Sequence, residues 1–216
     1  MPVIAYILTA LGAYLLGSIP FGFLVAKAKG IDIRSVGSGN IGATNAMRVL
    51  GKPAGIFVLL MDAAKGFVAT VYMTPLVHGW IAPDVAEKSL GLNLFVFAGV
   101  CAVLGHNYTC WLKFKGGKGI ATTAGVYLAL APWAVLVALV VFILAVLLTK
   151  YASVGSIAAA IALPITVWVM TPNNLLLGIV TTALGALAVY KHKSNIQRLM
   201  AGTENRLGQK KTEGAK

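Results

Sequence analysis

Acidic residues are scarce in this 216-residue chain. Six Asp and Glu stand against eighteen Lys and Arg, a formal net charge of +12, and charged residues of both signs make up only 11% of the whole. So few carboxylates exclude a paired-carboxylate hydrolase and a two-metal phosphatase, both of which need clustered acids. Cysteines number two and histidines three, and neither His-x-x-His nor Cys-x-x-Cys occurs, so no metal-ligand motif is on offer. Cys101 and Cys110 lie within or beside one apolar stretch. That excludes a disulfide framework and leaves them as small polarizable core residues.

The chain is instead rich in apolar residues. At 58% hydrophobic and a mean hydropathy of +0.84, it has more apolar surface than a soluble domain of this size can bury. It reads as an all-α integral membrane protein. The excess of positive charge then bears first on topology and second on attraction to anionic lipid or substrate; nucleic acid is not expected as a partner. Met1 to Val25 has no basic leading region, and its apolar run is longer than that of a secretory signal, so it reads as a first span. Gly12, Gly17 and Ser18 favour close packing there, and Ile19-Pro20-Phe21-Gly22 marks a kink.

Apolar segments fall at 3–26, 54–77, 91–109, 119–149, 154–171 and 174–191. The stretch from Gly119 to Leu148 would be ~45 Å long as one helix, against a hydrocarbon core of about 30 Å, and Pro132 sits near its middle. Charge decides how often it crosses. If the chain folds back at Ala131-Pro132, every cationic residue except Lys65 and Lys88 reaches the same face, as the positive-inside rule favours. The expectation is seven transmembrane helices, the N-terminus outside and the C-terminus cytoplasmic, with a short or tilted fourth span. Residues 1–208 form one polytopic domain on this reading, and 209–216 a disordered basic tail.

Three glycine-punctuated basic segments thereby converge on one face. In Lys115-Gly-Gly-Lys-Gly119, glycines and lysines precede a helix beginning near Ile120, and a helix N-terminus offers unpaired amides and a positive dipole end to an anion. Gly119 stands where a Walker loop needs Ser or Thr, so nucleotide hydrolysis is not implied. By itself the segment could equally be a flexible basic turn. Gly37-Ser-Gly-Asn-Ile-Gly42 matches a dinucleotide fingerprint in form only, because no βαβ unit surrounds it. What remains is a cluster of Ser38, Asn40, Thr44 and Asn45 followed by Arg48, a planar bidentate donor suited to a phosphomonoester, or else a capped interfacial helix over about 43–50. In the third segment His192 and Asn195 share a helical face, with His192 open to roles as base, phosphate donor or solvated terminus. Gly202 is placed to stop that helix, and Glu204 to hold a cationic neighbour.

Asp62 and Lys65, three apart in the second span, read as an intramembrane pair that orients the helix. His106, with Tyr108 and Trp111, reads as an interfacial belt, and lining a phosphate site is the lesser alternative for it. No histidine is followed four residues later by Asp, which removes the pattern of acyl-thioester glycerolipid acyltransferases.

Gly37-Ser-Gly-Asn-Ile-Gly-Ala-Thr-Asn-Ala-Met-Arg48, then Gly105-His-Asn-Tyr108 with Phe114-Lys-Gly-Gly-Lys-Gly-Ile-Ala-Thr122, then Lys191-His192, Asn195-Ile196 and Gly202-Thr-Glu204 resemble the three signature motifs of the bacterial membrane-bound acyl-phosphate:glycerol-3-phosphate acyltransferases. The resemblance runs from the first span to about Gly208. It implies a seven-span monomeric enzyme of the bacterial inner membrane that makes 1-acyl-glycerol 3-phosphate and inorganic phosphate, without cofactor or metal. By the same resemblance Ser38, Arg48 and Lys118, with Asn40, Thr44 and Asn45, serve glycerol 3-phosphate. Lys115, Gly116, Gly117, Lys118, Gly119 and Thr122 serve the fatty acyl phosphate. His192 and Asn195 complete the catalytic site, and Glu204, Asp62 and Lys65 are structural.

Overall fold

The computed structural model describes residues 3–81 and 91–207; Lys88 and the 209–216 tail lie outside them. The described residues are helical throughout, with connecting turns and loops. The first apolar segment forms α1 (Val3–Ser18) and α2 (Phe21–Lys27), broken at Ile19-Pro20, and α3 (Ala43–Leu50) follows a polar loop. Then come α4 (Lys52–Ile81), α5 (Leu92–Asn107), a 3-10 turn at Cys110–Leu112, α6 (Ile120–Leu130), α7 (Pro132–Thr149), α8 (Ala152–Met170), α9 (Leu175–Lys191) and α10 (Lys193–Met200).

Five of the apolar stretches are long enough to cross a membrane, or six if α9 and α10, bent by 52° at their junction, count as one. α6 has 11 residues, about 16 Å at the helical rise, which is short of a full hydrocarbon core. α6 and α7 are not one rod. Ala131 leaves helical space at φ −153, ψ 71, and Pro132 opens α7 at its first position, where a missing N–H does no harm. Ile120 and Ala121, at the start of α6, line the same cavity as Ala152 and Ser153 beyond the end of α7, and the Lys150 carbonyl accepts from Leu207 N at 2.8 Å. A collinear pair would hold those ends ~45 Å apart, so the chain turns back at Ala131.

Small residues bring the helix backbones together. A Cβ on Gly17 would lie 2.1 Å from Ala102 O and one on Gly105 2.2 Å from Tyr14 O, so α1 and α5 touch at backbone distance. Gly66 and Gly125 do the same for α4 and α6, against Thr122 O and Ala63 O. Gly155, Gly178 and Gly185 each abut a neighbouring helix as well, so the glycines of the later helices pack against partners and do not line an open groove. Hydroxyls bridge the ends of α1 and α5: Ser18 Oγ donates to Gly105 O, Thr109 Oγ1 to Ser18 O at 2.6 Å and Tyr14 OH to Tyr108 O at 2.7 Å. Terminal carbonyls that helices leave unpaired are thereby satisfied. The main apolar core joins Val96, Val103, Val126, Tyr127, Leu163, Val167, Leu177 and Leu184. α7 leaves Leu136, Leu139, Ile143, Leu144, Leu147 and Leu148 exposed, the surface of a helix that faces lipid.

Candidate active site

The first polar loop is organised by Asn45. Its Oδ1 accepts from Ser38 N at 2.8 Å, while Nδ2 donates to the carbonyls of Ile33, Val36 and Asn40, and the side chain is buried. An amide has two donor hydrogens and one carbonyl oxygen, so Asn45 is fully occupied in shaping the loop. Asn45 lines the cavity too, but its hydrogen-bonding groups are committed to the loop. Gly37 and Gly39 sit at positive φ of 64° and 69°, and Gly42 N donates to Asn40 Oδ1 at 2.9 Å. Ser38, Asn40, Thr44 and the half-buried Arg48 are left facing one cavity.

The glycine loop differs in detail from the sequence expectation. Gly116 N donates to Asn107 O at 3.2 Å and Gly117 N to His106 O at 3.0 Å, so these two amides dock the loop on the end of α5 and are not open to an anion. The missing Cβ atoms accommodate protein: one on Gly116 would meet His106 O at 2.0 Å, and one on Gly117 would meet His106 Nε2 at 2.1 Å. Gly119, at φ 84, adopts the left-handed turn that opens α6, and the first amides of that helix have no partner within it. Lys118 reaches into the cavity; Lys115 is exposed and lines no described cavity. Thr122 is fully buried between α6 and α4, where its carbonyl backs on Gly66. Neither Lys115 nor Thr122 is placed to touch a ligand here, contrary to the sequence reading.

His192 is the joint between α9 and α10 and not part of one continuous helix. Its Nδ1 lies 2.8 Å from Ala188 O, which fixes Nδ1 as the protonated nitrogen and leaves Nε2 as an acceptor. Asn195 accepts from Lys118 Nζ through Oδ1 at 2.5 Å and donates through Nδ2 to Glu204 Oε1 at 2.7 Å. Glu204 Oε2 takes Arg198 Nε at 2.7 Å. A polar relay thus runs Lys118–Asn195–Glu204–Arg198. Asn195 orients the lysine, and Glu204 holds its cationic neighbour as the sequence suggested.

Ser38, Arg48, Lys118, His192, Asn195 and Glu204 line one cavity of about 140 Å³, with Leu59 and Phe142 on its apolar side. The three segments, up to 166 residues apart between Ser38 and Glu204, form one site. Electrostatics follow from burial. Desolvation lowers the Lys118 ammonium, with Arg198 and Arg48 adding to the effect and Glu204 opposing it, to about 8. Burial, then the Lys118 charge, pushes His192 down to about 4, so its imidazole is neutral. Burial also tends to raise the Glu204 carboxyl, but hydrogen bonds from Asn195 and Arg198, with the Arg198 charge, outweigh it and hold the group below its ordinary value. Desolvation lowers Arg48, whose guanidinium keeps its charge regardless.

Asp62 and Lys65 form the intramembrane pair, Oδ1 to Nζ 2.8 Å, with both side chains almost fully buried. Lys65 also donates to Ile19 O at 2.7 Å, at the break between α1 and α2. A third member was missed from sequence: His106 Nδ1 lies 3.5 Å from Asp62 Oδ1, and Asp62 and His106 both line the cavity floor. Its role as an interfacial belt residue is therefore replaced by one under the glycine loop. The usable signal was that an intramembrane carboxylate seeks every nearby donor. Among the described residues no cluster of His, Cys, Asp and Glu could hold a metal ion.

Residues 7–202 match the family model described as glycerol-3-phosphate acyltransferase. Glycerol-3-phosphate acyltransferases of Desulforamulus reducens and Geobacter metallireducens are 47% and 50% identical to this chain, covering 97% and 93% of it and 98% and 96% of their own lengths. The fold is similar to the crystal structure of PlsY, an integral membrane glycerol 3-phosphate acyltransferase, in its glycerol 3-phosphate form, with a TM-score of 0.83 and 39% identity over 94% of this chain and 96% of that one. Its lysophosphatidic acid form matches with a TM-score of 0.79.

Proposed function

The chain belongs to the glycerol-3-phosphate acyltransferase family, and from this premise we propose that it moves a fatty acyl group from acyl phosphate to the 1-hydroxyl of sn-glycerol 3-phosphate. The products are 1-acyl-glycerol 3-phosphate and orthophosphate. One observation carries the reading: Arg48 and Lys118 meet in a cavity that also holds the neutral His192 and an apolar wall of Leu59 and Phe142. That combination suits a phosphate dianion next to the head of an acyl chain.

In this reading Arg48, Lys118 and Ser38 hold the glycerol phosphate, with Asn40 and Thr44 at its rim. The first amides of α6 and Lys118 receive the phosphoryl group of the donor, on a loop that Gly116 and Gly117 seat against α5. The hydroxyl oxygen attacks the acyl carbonyl, the bond from carbonyl carbon to phosphate oxygen breaks, and the electron pair leaves with orthophosphate. The hydroxyl proton passes to a phosphate oxygen of the glycerol phosphate, because a histidine held near 4 is a weak base at neutral pH. His192 Nε2, an acceptor, takes its hydrogen bond from the neighbouring 2-hydroxyl and so orients the glycerol backbone, leaving the proton of the attacking hydroxyl directed at the phosphate. No covalent enzyme intermediate is required, since the mixed anhydride is already activated. Each phosphate carries about −1.5 to −2, so bringing two together against their repulsion is the main catalytic task.

The topology proposed with this function has seven crossings, α6 being the short fourth, an outside N-terminus and a cytoplasmic site in a monomer of the bacterial inner membrane. The turn at Ala131 and the short α6 support it, and so does the cationic residues' bias to one face. Purified protein supplied with palmitoyl phosphate should release orthophosphate only when glycerol 3-phosphate is present. Turnover with an acyl thioester in place of palmitoyl phosphate would overturn the donor.

A further inference from the structure

A second cavity of about 410 Å³ adjoins the first. Ser38, Asn40 and Lys118 line both, so Lys118 stands in the wall between them. On the far side the second cavity is bounded by Lys191, Lys193 and Arg198, and no carboxylate lines it. The first cavity is different, because Asp62 and Glu204 offset its cations there.

The far-side cations are held in position. Lys191 Nζ donates to Asn107 O at 3.0 Å and lies 4.4 Å from the centre of the Tyr108 ring; Lys193 Nζ lies 5.1 Å from that of Tyr190. Arg198 engages Glu204 through Nε, and a guanidinium has four further N–H donors. Of the four cations around this cavity only Arg198 has a carboxylate partner, Glu204, so the cluster carries an excess of positive charge that an anion lying between them would relieve. At roughly 30 Å³ per water, the volume accommodates a small anion with its hydration.

Resting on the reaction proposed above, we infer that this second cavity is a waiting site for a free phosphate dianion. The shared chemistry has two sources: the orthophosphate discarded by the donor, and glycerol phosphate on its way in. Either would pass between Lys118 and the Lys193–Arg198 side along a path lined by cations and free of carboxylates.

Lys193 is exposed and is assigned no part in the reaction, so Lys193→Glu reverses one charge of the path and leaves the reacting cavity intact. The full-length enzyme is assayed with palmitoyl phosphate and glycerol 3-phosphate, with added orthophosphate as inhibitor. The inhibition constant of orthophosphate should rise roughly five- to tenfold in the variant while kcat is retained. An unchanged KM for glycerol 3-phosphate would identify the site as the exit of orthophosphate, and a parallel rise in that KM would make it the approach of substrate as well; both support the inference. An inhibition constant unaffected by the charge reversal overturns it. So does failure of orthophosphate to protect Lys193 of the unmodified protein from an amine-reactive label, a measurement independent of how the variant folds. Absence of turnover with palmitoyl phosphate in the unmodified enzyme would instead strike the donor assignment, and the labelling result would still decide the site.

Discussion

Raising the pH from about 7 to about 9 should weaken glycerol 3-phosphate binding about tenfold, and the cause should be Lys118. Burial is the largest influence on this ammonium, with Arg198 and Arg48 lowering it further and Glu204 opposing them, and the result is a pKa of about 8. About nine in ten molecules carry the charge near pH 7 and about one in ten near pH 9. A phosphate dianion against Nζ raises that pKa again, so the ligand selects the protonated form. Affinity then falls by the same factor as the protonated fraction, ~1.4 kcal/mol over the window. The ligand's own second ionisation, near ~6, is complete throughout. His192, near 4, is neutral and the lowered Glu204 is ionised across the whole range, and guanidinium groups keep their charge. Calorimetric titrations in buffers of different ionisation enthalpy would count the proton directly: about half a proton taken up per ligand near pH 8, approaching one near pH 9. Lys118→Gln should abolish both the pH limb and the uptake. Affinity flat from pH 7 to 9, or proton uptake surviving in the variant, would refute the reasoning.

Asp62→Asn leaves Lys65 almost fully buried beside a neutral amide with no counter-charge, so thermal unfolding in detergent should show a loss of about 3–5 kcal/mol, as for other broken buried pairs; an unaltered melting temperature would count against the pair as a structural element. Gly117→Ala drives a methyl group onto the His106 ring and must lift the loop that carries Lys118, so kcat/KM should drop about a hundredfold with the melting temperature little affected. His192→Gln should lower kcat/KM tenfold or more but leave the shape of the pH–rate profile between about pH 5.5 and 7.5 unchanged; a limb in that window that vanishes with the imidazole would restore His192 as the base. Cysteines placed at the exposed Thr44 and Lys193 should react with an impermeant thiol reagent from the same side of oriented membranes, and labelling from opposite sides would break the proposed topology.

Much of this was legible in the chain because the governing forces are local. Hydrophobic runs located the helices to within a few residues, and Gly119 and Gly202, both at positive φ, end or open helices where glycine was expected to do so. The Asp62–Lys65 pair followed from a spacing of three on one helix. Legibility failed where a polar group had a choice of partners. Asn45 and the Gly116 and Gly117 amides look like phosphate donors in a linear reading, yet each is engaged by a carbonyl or amide of the protein. Thr122 sits only three residues beyond Gly119, but that places it on the face of α6 that packs against α4. His106 looked interfacial because its acid, Asp62, lies 44 residues away in sequence.

Hydropathy, glycine positions and the distribution of lysine and arginine determined by themselves that this is a helical membrane protein with its cationic segments gathered at one face, since burial in lipid and the sidedness of charge act on each segment independently. Only the tertiary structure decided which donors face the cavity and which hold the scaffold together. A hydrogen-bonding group has few bonds to make, and the partner that claims it is set by how the helices pack.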